Sequence, residues 1–434
     1  MNSVYKIGFY TAISLVIANM IGTGVFTSLG FQLINIHSVF SILILWLLGG
    51  IISLCGALVY AELGVTFPKS GGEYVYLSKL IHPFVGFLSG WVSSTVGFAA
   101  PVALASVALG TYVNVIFPQV NITVCALTVV GVITVIHATN LKSGSSFQKI
   151  LTLLKIIFII LFIVAGFCCT PAHVVSILPQ ANSESEIFSQ PFWVSLIYVS
   201  YAYSGWNAAS YLAGDMHDVK KDLPKALIIG TLIVTAIYLL LNYVFLYSTP
   251  ASELAGVLEI GHVSASHIFG EFFGKFMSLV IAFLLISSIS AMIMAGPRIM
   301  KSMGDDVPML NFLAITNKNN VPYLAVILQS AITVILILTS QFESVLTFVG
   351  FSLSIFTFLT VMSVFILRAR KIENTSYRTW GYPVTPILFL ALNGFTIYFV
   401  FINKTEESLW GLLNLVIGGV IYVIGTQFSK NKHV

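Results

Sequence analysis

The chain has 434 residues, of which 57% are hydrophobic and only 8% charged, and its formal net charge is +4. Soluble domains carry about 25% charged residues. This composition therefore excludes a soluble protein and predicts that lipid is the solvent. The four cysteines lie in or beside apolar runs, without the spacing of a metal site or of a disulfide framework.

Apolar runs recur along the whole chain. Each is long enough to cross about 30 Å of hydrocarbon, which takes about 20 helical residues. Because the runs lack the alternating pattern of membrane strands, they predict helices. We therefore expect an all-α membrane protein that forms a single transmembrane domain over residues 1–434. Its roughly twelve helices are predicted near residues 7–34, 39–66, 84–116, 122–139, 147–170, 190–213, 225–248, 271–299, 322–340, 344–369, 384–402 and 408–427.

The basic residues predict how these helices are oriented. When the helix ends are numbered alternately, one side of the membrane holds nearly all lysines and arginines, and the other side holds only Lys275 and Lys404. Basic residues are in excess in cytoplasmic loops. The distribution therefore predicts a multi-pass protein of the cell membrane, inner or plasma, with both termini in the cytoplasm.

The first predicted span contains two glycines on either side of a threonine, Gly22-Thr23-Gly24, near its middle. This composition weakens the helix locally. A break there would free backbone N–H and C=O groups, which hydrocarbon tolerates only beside a wet cavity or a ligand. The alternative is a surface of small residues against which a neighbouring helix packs.

The sixth predicted span is interrupted in the same way, by Ser204 and Gly205 within the segment Tyr201–Asn207. An aromatic-rich packing helix with a tolerated glycine is the alternative. The two interruptions are five helices apart, so the sixth span enters the membrane from the opposite side to the first. Paired discontinuous helices in inverted halves are the best sequence indication of a transporter site.

The expected breaks suit a zwitterionic α-amino acid. Free N–H groups at Thr23, Gly24 and Val25 would lie at the positive end of the following half-helix, which favours a carboxylate. Carbonyl groups released around Ala18–Ile21 and Tyr201–Ser204 would favour an ammonium group.

Three segments carry a resemblance to a known family: IGTGVF in the first span, YAELGVTFPKSGGEYVYL after the second, and YSGWNAASYLAGDMHDVKKDLPKAL around the sixth. Together they resemble the amino acid–polyamine–organocation (APC) superfamily, nearest to the L-type amino acid transporters and their bacterial relatives. The resemblance implies a LeuT-type fold. In that fold two inverted repeats of five helices, about 7–170 and 190–369, precede two extra helices at about 384–427.

The resemblance also implies roles for particular residues. The turn Gly22-Thr23-Gly24 would hold the substrate carboxylate, and Tyr201 would close the outer side of the site. Pro68–Leu77 would be a re-entrant cytoplasmic loop. The amine would be held by carbonyl groups of Tyr201, Ala202 and Ser204, and the side-chain pocket would be lined by Trp206 and Asn207.

Lys155 lies inside the fifth predicted span. A lysine there is costly and suggests function, although snorkelling to the nearby cytoplasmic end is the alternative. The helix dipole disfavours a cation at that end, so we expect the ammonium to reach sideways to freed carbonyls of the first span. The resemblance implies that Lys155 replaces a structural sodium ion, either as a fixed strut or as a proton carrier. Candidate partners in span eight are Ser287, Ser288 and Ser290.

The acidic residues bear on the substrate. None lies in the middle of a predicted span; Glu62 and Asp215 are expected to be interfacial, and Glu73 is expected to be solvated in a loop rather than part of an inner gate. A pocket without a carboxylate favours neutral amino acids. We therefore expect a sodium-independent secondary transporter of neutral L-amino acids that works by alternating access, as an exchanger or with protons.

Other functions are less consistent with the residues. A cationic amino acid or polyamine antiporter is the alternative within transport. A non-transporting amino acid sensor usually needs a long cytoplasmic tail, whereas Ser429–Val434 is short, and an enzyme would need a catalytic constellation that is not visible. We expect no metal, cofactor or nucleic acid. The segment Phe117–Asn121 has no cysteine, so no covalently linked ancillary subunit is expected either.

Overall fold

A computed structural model describes residues 7–139, 144–168, 176–179, 183–372 and 376–431, with side chains described in these ranges except at 144–151 and 427–431. Within these residues the chain is all-helical, and the single extended contact is a bridge between Ile7 and Met216. Nine of the described helices are long and apolar enough to cross a membrane. The expected all-α membrane protein is therefore confirmed.

The first half of the chain begins with two short helices in line, followed by longer ones. The order is α1 (Phe9–Met20), α2 (Gly24–Gln32), α3 (Val39–Thr66), α4 (Glu73–Leu80), α5 (Pro83–Val92), a π-helical segment (Ser93–Gly97), α6 (Ala99–Ile116), α7 (Ile122–Thr139) and α8 (Gly144–Cys168).

The second half repeats long helices joined by short ones. The order is α9 (Ser183–Ile187), α10 (Gln190–Tyr203), a 3-10 segment (Ala208–Asp215), α11 (Val219–Ser248), α12 (Ala251–Leu254), α13 (Ile260–Phe269), α14 (Glu271–Asp306), a second 3-10 segment (Pro308–Ala314), α15 (Tyr323–Thr339), α16 (Phe342–Ala369), α17 (Val384–Asn403) and α18 (Thr405–Asn431).

The helix bounds differ from the sequence prediction in several places, of which three are the following. The eighth helix was predicted to end near residue 299, but α14 continues through Pro297 to Asp306. The third span is interrupted by the π-helical segment Ser93–Gly97. Two short helices, α12 and α13, occupy the connection after α11, for which no element was predicted.

The outer helices carry their apolar side chains on the surface. Exposed examples from α7, α8, α15, α17 and α18 are Val135, Leu161, Ile335, Tyr398 and Val416. A surface of this kind would not be stable in water, because apolar area favours removal from it. Buried polar and aromatic residues, such as Gln32, Trp46 and Tyr203, lie inside on α2, α3 and α10, beside the cavity described below.

Candidate functional site

The first helix is broken at Gly22. Helix α1 ends at Met20 and α2 begins at Gly24. The Gly22 N–H donates to the carbonyl of Met20 at 2.8 Å, so the carbonyl of Ala18 loses its helical donor. Within the described residues, the N–H groups of Thr23, Gly24 and Val25 have no acceptor, as expected for the first turn of a helix. Three donors therefore lie together at the positive end of α2.

The second break lies between α10 and the 3-10 segment Ala208–Asp215. Helix α10 ends at Tyr203, and the N–H of Ser204 turns back to the carbonyl of Tyr201 at 2.9 Å. Gly205 has φ +98°, a conformation that L side chains rarely adopt. A glycine is therefore required at this point of the break.

The two breaks are in direct contact. A Cβ atom on Gly24 would lie 2.4 Å from the Cα atom of Ala202, and one on Gly205 would lie 2.8 Å from the backbone carbonyl carbon of Asn19. No side chain fits at either glycine without moving backbone. By contrast, a Cβ atom on Gly22 would meet nothing closer than 4.0 Å. Gly24 and Gly205 thus allow the two backbones to approach closely, whereas Gly22 lies beside open space.

Tyr238 of α11 joins the two breaks. Its hydroxyl lies 2.5 Å from the carbonyl oxygen of Met20 and 3.0 Å from that of Ala202. Because a hydroxyl has one proton, these two carbonyls compete for a single donor. Tyr238 was not among the site residues predicted from the sequence. A tyrosine in a largely apolar helix could have indicated this role, but it is equally typical of a residue that only packs against its neighbours.

Lys155 lies beside the first break. It is buried, and its Nζ atom donates to the carbonyl of Ile21 at 2.8 Å and to the Oγ atom of Ser288 at 3.0 Å. Of the other two candidate serines, Ser290 pairs with the Nε2 atom of His137 at 2.8 Å and Ser287 is buried. No acidic side chain among the described residues forms a salt bridge with Lys155, so neutral oxygens hold its ammonium.

A cavity of about 500 Å³ lies against both breaks. It extends toward Ile7, Ser70 and Arg298, on what we call the basic side of the bundle. The predicted site residues that line it are Ala18, Gly22, Tyr201, Ser204, Trp206, Asn207 and Ser288. The predicted site residues that lie behind its wall are Ile21, Thr23, Gly24, Val25, Lys155, Ala202 and Ser287.

Tyr201, which lines the cavity, is in contact with Thr23 behind the cavity wall. Their hydroxyl groups lie 3.0 Å apart, and both residues are buried. The carbonyls of Ile21 and Ala202, expected to meet the substrate amine, already accept hydrogen bonds from Lys155 and Tyr238. A carbonyl oxygen has two lone pairs, so each keeps one acceptor position.

The expectation that Glu73 is a solvated loop acid is wrong. Its side chain is 3% exposed and lines the cavity. Gly71 and Gly72 have φ values of +126° and +51°, and they turn the chain so that α4 begins at Glu73 inside the bundle. The expectation that the pocket contains no carboxylate is wrong for the same reason. Neither the turn nor its direction is visible from residue spacing.

Three side chains donate hydrogen bonds to the Glu73 carboxylate. Oε1 accepts from the Tyr60 hydroxyl at 2.6 Å and from the Asn207 amide at 3.0 Å, and Oε2 accepts from Ser89 at 3.5 Å. Burial raises the pKa of Glu73 to about 7, although these hydrogen bonds oppose the shift. No basic residue within the described ranges forms a salt bridge with it. A buried acid that changes charge near neutral pH thus lies on the cavity wall.

The two remaining acids differ from each other. Asp215 is exposed, in keeping with an interfacial position. Glu62 is 2% exposed, so it is buried inside the protein. Its Oε2 atom accepts from Arg368 at 2.9 Å and from the N–H and hydroxyl of Thr379, both at 2.7 Å. This cluster ties α3 to α16 and to the segment before α17, away from the cavity.

These features define a class: an all-helical membrane protein whose two broken helices meet at a cavity, as in secondary transporters. Comparison with known proteins supports the same class. The chain matches the amino acid permease family over residues 7–425. It therefore belongs to the amino acid permeases of the APC superfamily, whose members here are transporters and not enzymes.

Individual relatives span nearly the whole chain. The serine/threonine exchanger SteT of Bacillus subtilis (strain 168) is 31% identical over 96% of both chains. The human b(0,+)-type amino acid transporter 1 is 26% identical over 98% of this chain and 88% of its own. The human large neutral amino acids transporter small subunit 2 is 26% identical over 98% of this chain and 81% of its own.

Proposed function

We propose that this protein is a sodium-independent exchanger of neutral L-amino acids that works by alternating access. The bacterial relative is named an exchanger, which supports exchange. One human relative is named a transporter of large neutral amino acids, which supports neutral substrates. The arrangement would be LeuT-type, with twelve spans. Inverted repeats would occupy about 7–170 and 190–369, and the two extra helices would be α17 and α18.

The three unpaired N–H groups at Thr23, Gly24 and Val25 carry this proposal. They converge at the positive end of α2, where an anion is stabilised by N–H donors and by the helix dipole together. In the observed conformation the Thr23–Tyr201 contact covers them, and Gly22 is the part of the turn that reaches the cavity. The substrate carboxylate would displace the Tyr201 hydroxyl from Thr23.

The substrate amine would lie on the other side of the same cavity. Ala18 and Ser204 line it, and Ala18 has lost its helical donor. The second lone pairs of Ile21, Tyr201 and Ala202 complete a set of carbonyl acceptors. Trp206 and Asn207 would contact the side chain. Because the cavity extends to the basic side while Tyr201 is buried, this conformation is the inward-open one if that side is cytoplasmic.

Lys155 supports the absence of sodium from the mechanism. Its ammonium donates to Ile21 and Ser288, linking α8 to the first break and to α14. A sodium ion in the same position would be repelled by the Lys155 ammonium and would compete with it for the oxygens of Ile21 and Ser288. We propose that Lys155 is a strut for exchange; its release of a proton would instead couple transport to protons.

Orientation and partners are part of the same proposal. We propose that both termini lie in the cytoplasm and that the protein is in the cell membrane, because basic residues are in excess on the side of Ile7 and Arg298. Phe117–Asn121 carries no cysteine, so no disulfide-linked ancillary subunit is expected there.

Exchange in proteoliposomes tests this function. Purified protein is reconstituted, loaded with an unlabelled neutral amino acid, and given the labelled form outside. We expect uptake only when internal substrate is present, and equal uptake in sodium and in choline buffers. Uptake that needs sodium, or no uptake of any amino acid, contradicts the proposal.

The buried carboxylate favours one second candidate, a cationic amino acid carrier. Glu73 lies on the cavity wall with no basic partner within the described residues, and an ammonium or guanidinium group could pair with it. Three protein donors already satisfy this carboxylate, which is why we rank it second. Lysine and arginine in the same exchange assay separate the two, since a neutral exchanger transports them poorly.

A further inference from the structure

The side-chain amide of Asn207 is held in one orientation. Its Nδ2 atom donates to the Oε1 atom of Glu73 at 3.0 Å, and the Tyr60 hydroxyl donates to the same oxygen at 2.6 Å. An ionised carboxylate carries no proton and can only accept hydrogen bonds. The amide nitrogen of Asn207 therefore faces Glu73 when this acid is ionised.

The orientation of the nitrogen decides where the amide oxygen points. Asn207 lines the cavity beside Trp206. Its Oδ1 atom has no hydrogen-bond partner among the described residues. This oxygen is not among the fully inaccessible unpaired atoms, so it can be reached from the cavity. The cavity therefore presents a hydrogen-bond acceptor next to an apolar ring.

We propose that Glu73 is a positioning residue that holds the Asn207 amide oxygen toward the cavity, and that this oxygen selects substrate side chains that donate a hydrogen bond. The inference rests on the proposed function and names a substrate class within it, the hydroxyl amino acids serine and threonine. An apolar side chain of equal size would leave the oxygen desolvated and unpaired, which is unfavourable. Glu73 acts through Asn207 and does not itself touch the substrate.

Matched pairs of substrates test the acceptor. In the exchange assay, kcat/KM is compared for serine against 2-aminobutyrate, which has an apolar side chain of equal size, and for O-methylserine against norvaline. We expect a preference of about tenfold for serine, the size that one hydrogen bond gives. The ether oxygen of O-methylserine cannot donate, so we expect no gain over norvaline. Equal rates for serine and 2-aminobutyrate, or a gain from the ether, overturn the proposal.

Variants separate positioning from charge. Glu73→Leu removes the acceptor and frees the Asn207 amide, so the preference for serine over 2-aminobutyrate should fall toward one while 2-aminobutyrate exchange continues. Glu73→Gln keeps an oxygen at the Oε1 position without the charge and should retain the preference. Tyr60→Phe leaves the Glu73–Asn207 bond in place and should retain it too. Loss of the preference in Glu73→Gln, or its persistence in Glu73→Leu, contradicts positioning through an acceptor.

The outcomes also distinguish this inference from the proposed function. Wild-type protein that exchanges neutral amino acids without regard to a hydroxyl group leaves the proposed function intact and overturns the inference alone. If Glu73→Leu does not fold, the substrate pairs measured on wild type and Tyr60→Phe still decide the outcome. Wild-type protein that exchanges no amino acid overturns both.

Discussion

The two helix breaks satisfy their polar groups in opposite ways. At the first break, side chains of Lys155 and Tyr238 donate to released carbonyls, while the N–H groups of Thr23, Gly24 and Val25 have no acceptor among the described residues. At the second break, the side chain of Asn207 donates to a buried acid, Glu73. The first break is thus left with free donors and the second with a free acceptor.

This difference divides recognition of one small molecule between two segments. Free donors at the positive end of α2 suit a carboxylate, whereas an oriented amide oxygen suits a donor on the substrate side chain. At each break the polar groups that do not face the substrate also need hydrogen-bond partners in the protein, since unpaired buried polar groups are costly. Variants that alter one break at a time can sharpen this contrast.

The largest effect is expected where the breaks touch. In Gly24→Ala the new Cβ atom would lie 2.4 Å from the backbone of Ala202, and overpacking of this kind costs about 1–3 kcal/mol or more. We expect loss of monodisperse protein on gel filtration. Gly22→Ala is the control, because its Cβ atom has open space and the protein should fold. Equal yields from the two variants would show that the breaks are not in contact.

The next effect concerns the first break alone. Lys155→Met removes the charged donor to Ile21 and Ser288, and such hydrogen bonds contribute about 1.5–3 kcal/mol. We expect exchange to fall by about tenfold or more in protein that still elutes as a single species. Lys275→Ala alters a half-exposed lysine paired with Glu271 and should exchange normally. Unchanged exchange by Lys155→Met would remove this residue from the mechanism.

A smaller effect is expected from the residue that joins both breaks. Tyr238→Phe keeps the ring but removes the hydroxyl shared by Met20 and Ala202, so unfolding should need about 1–3 kcal/mol less free energy. Thermal unfolding in detergent measures this. In Tyr243→Phe, on the same helix, the hydroxyl has no hydrogen bond with the described residues, and we expect little change. Equal losses in both variants would argue against the shared contact.

The smallest effect is expected at the second break, and it depends on pH. The pKa of Glu73 is raised by burial to about 7, above its ordinary value, so the folded protein holds this proton more tightly than the unfolded chain. The carboxyl therefore stabilises the fold most below about pH 4.5, and this contribution is lost as pH rises through 7. Glu73→Gln cannot ionise, so its melting temperature should exceed that of wild type at pH 8 and approach it near pH 5.

The control for that measurement is an acid outside the core. Glu406 is exposed, so Glu406→Gln should change the melting temperature little at either pH. A Glu73→Gln variant that is no more stable than wild type at pH 8 would mean that the Glu73 carboxyl is not destabilised by its surroundings.

Sequence alone could predict the fold class and the places of the breaks. Composition and 20-residue apolar runs demand membrane helices, and Gly22-Thr23-Gly24 and Ser204-Gly205 weaken two of them where α1 and α10 end. The choice of Ser288 over its neighbours could not be made, because a small error in helical phase exchanges the faces of adjacent residues.

The burial of the two acids Glu73 and Glu62 could not be predicted from the sequence. Glu73 looked like a loop residue because only the positive φ values of Gly71 and Gly72 turn it inward. The burial of Glu62 was not predicted because its partners, Arg368 and Thr379, are distant in sequence. Contacts between remote segments are set by tertiary packing, and spacing along one chain does not reveal them.

A structure with a bound neutral amino acid would show whether the two breaks form the substrate site. We expect the substrate carboxylate within about 3 Å of the N–H groups of Thr23, Gly24 and Val25, with its ammonium facing carbonyls of both breaks. A substrate bound elsewhere in the cavity, or a first helix that winds continuously through Gly22, would contradict this expectation.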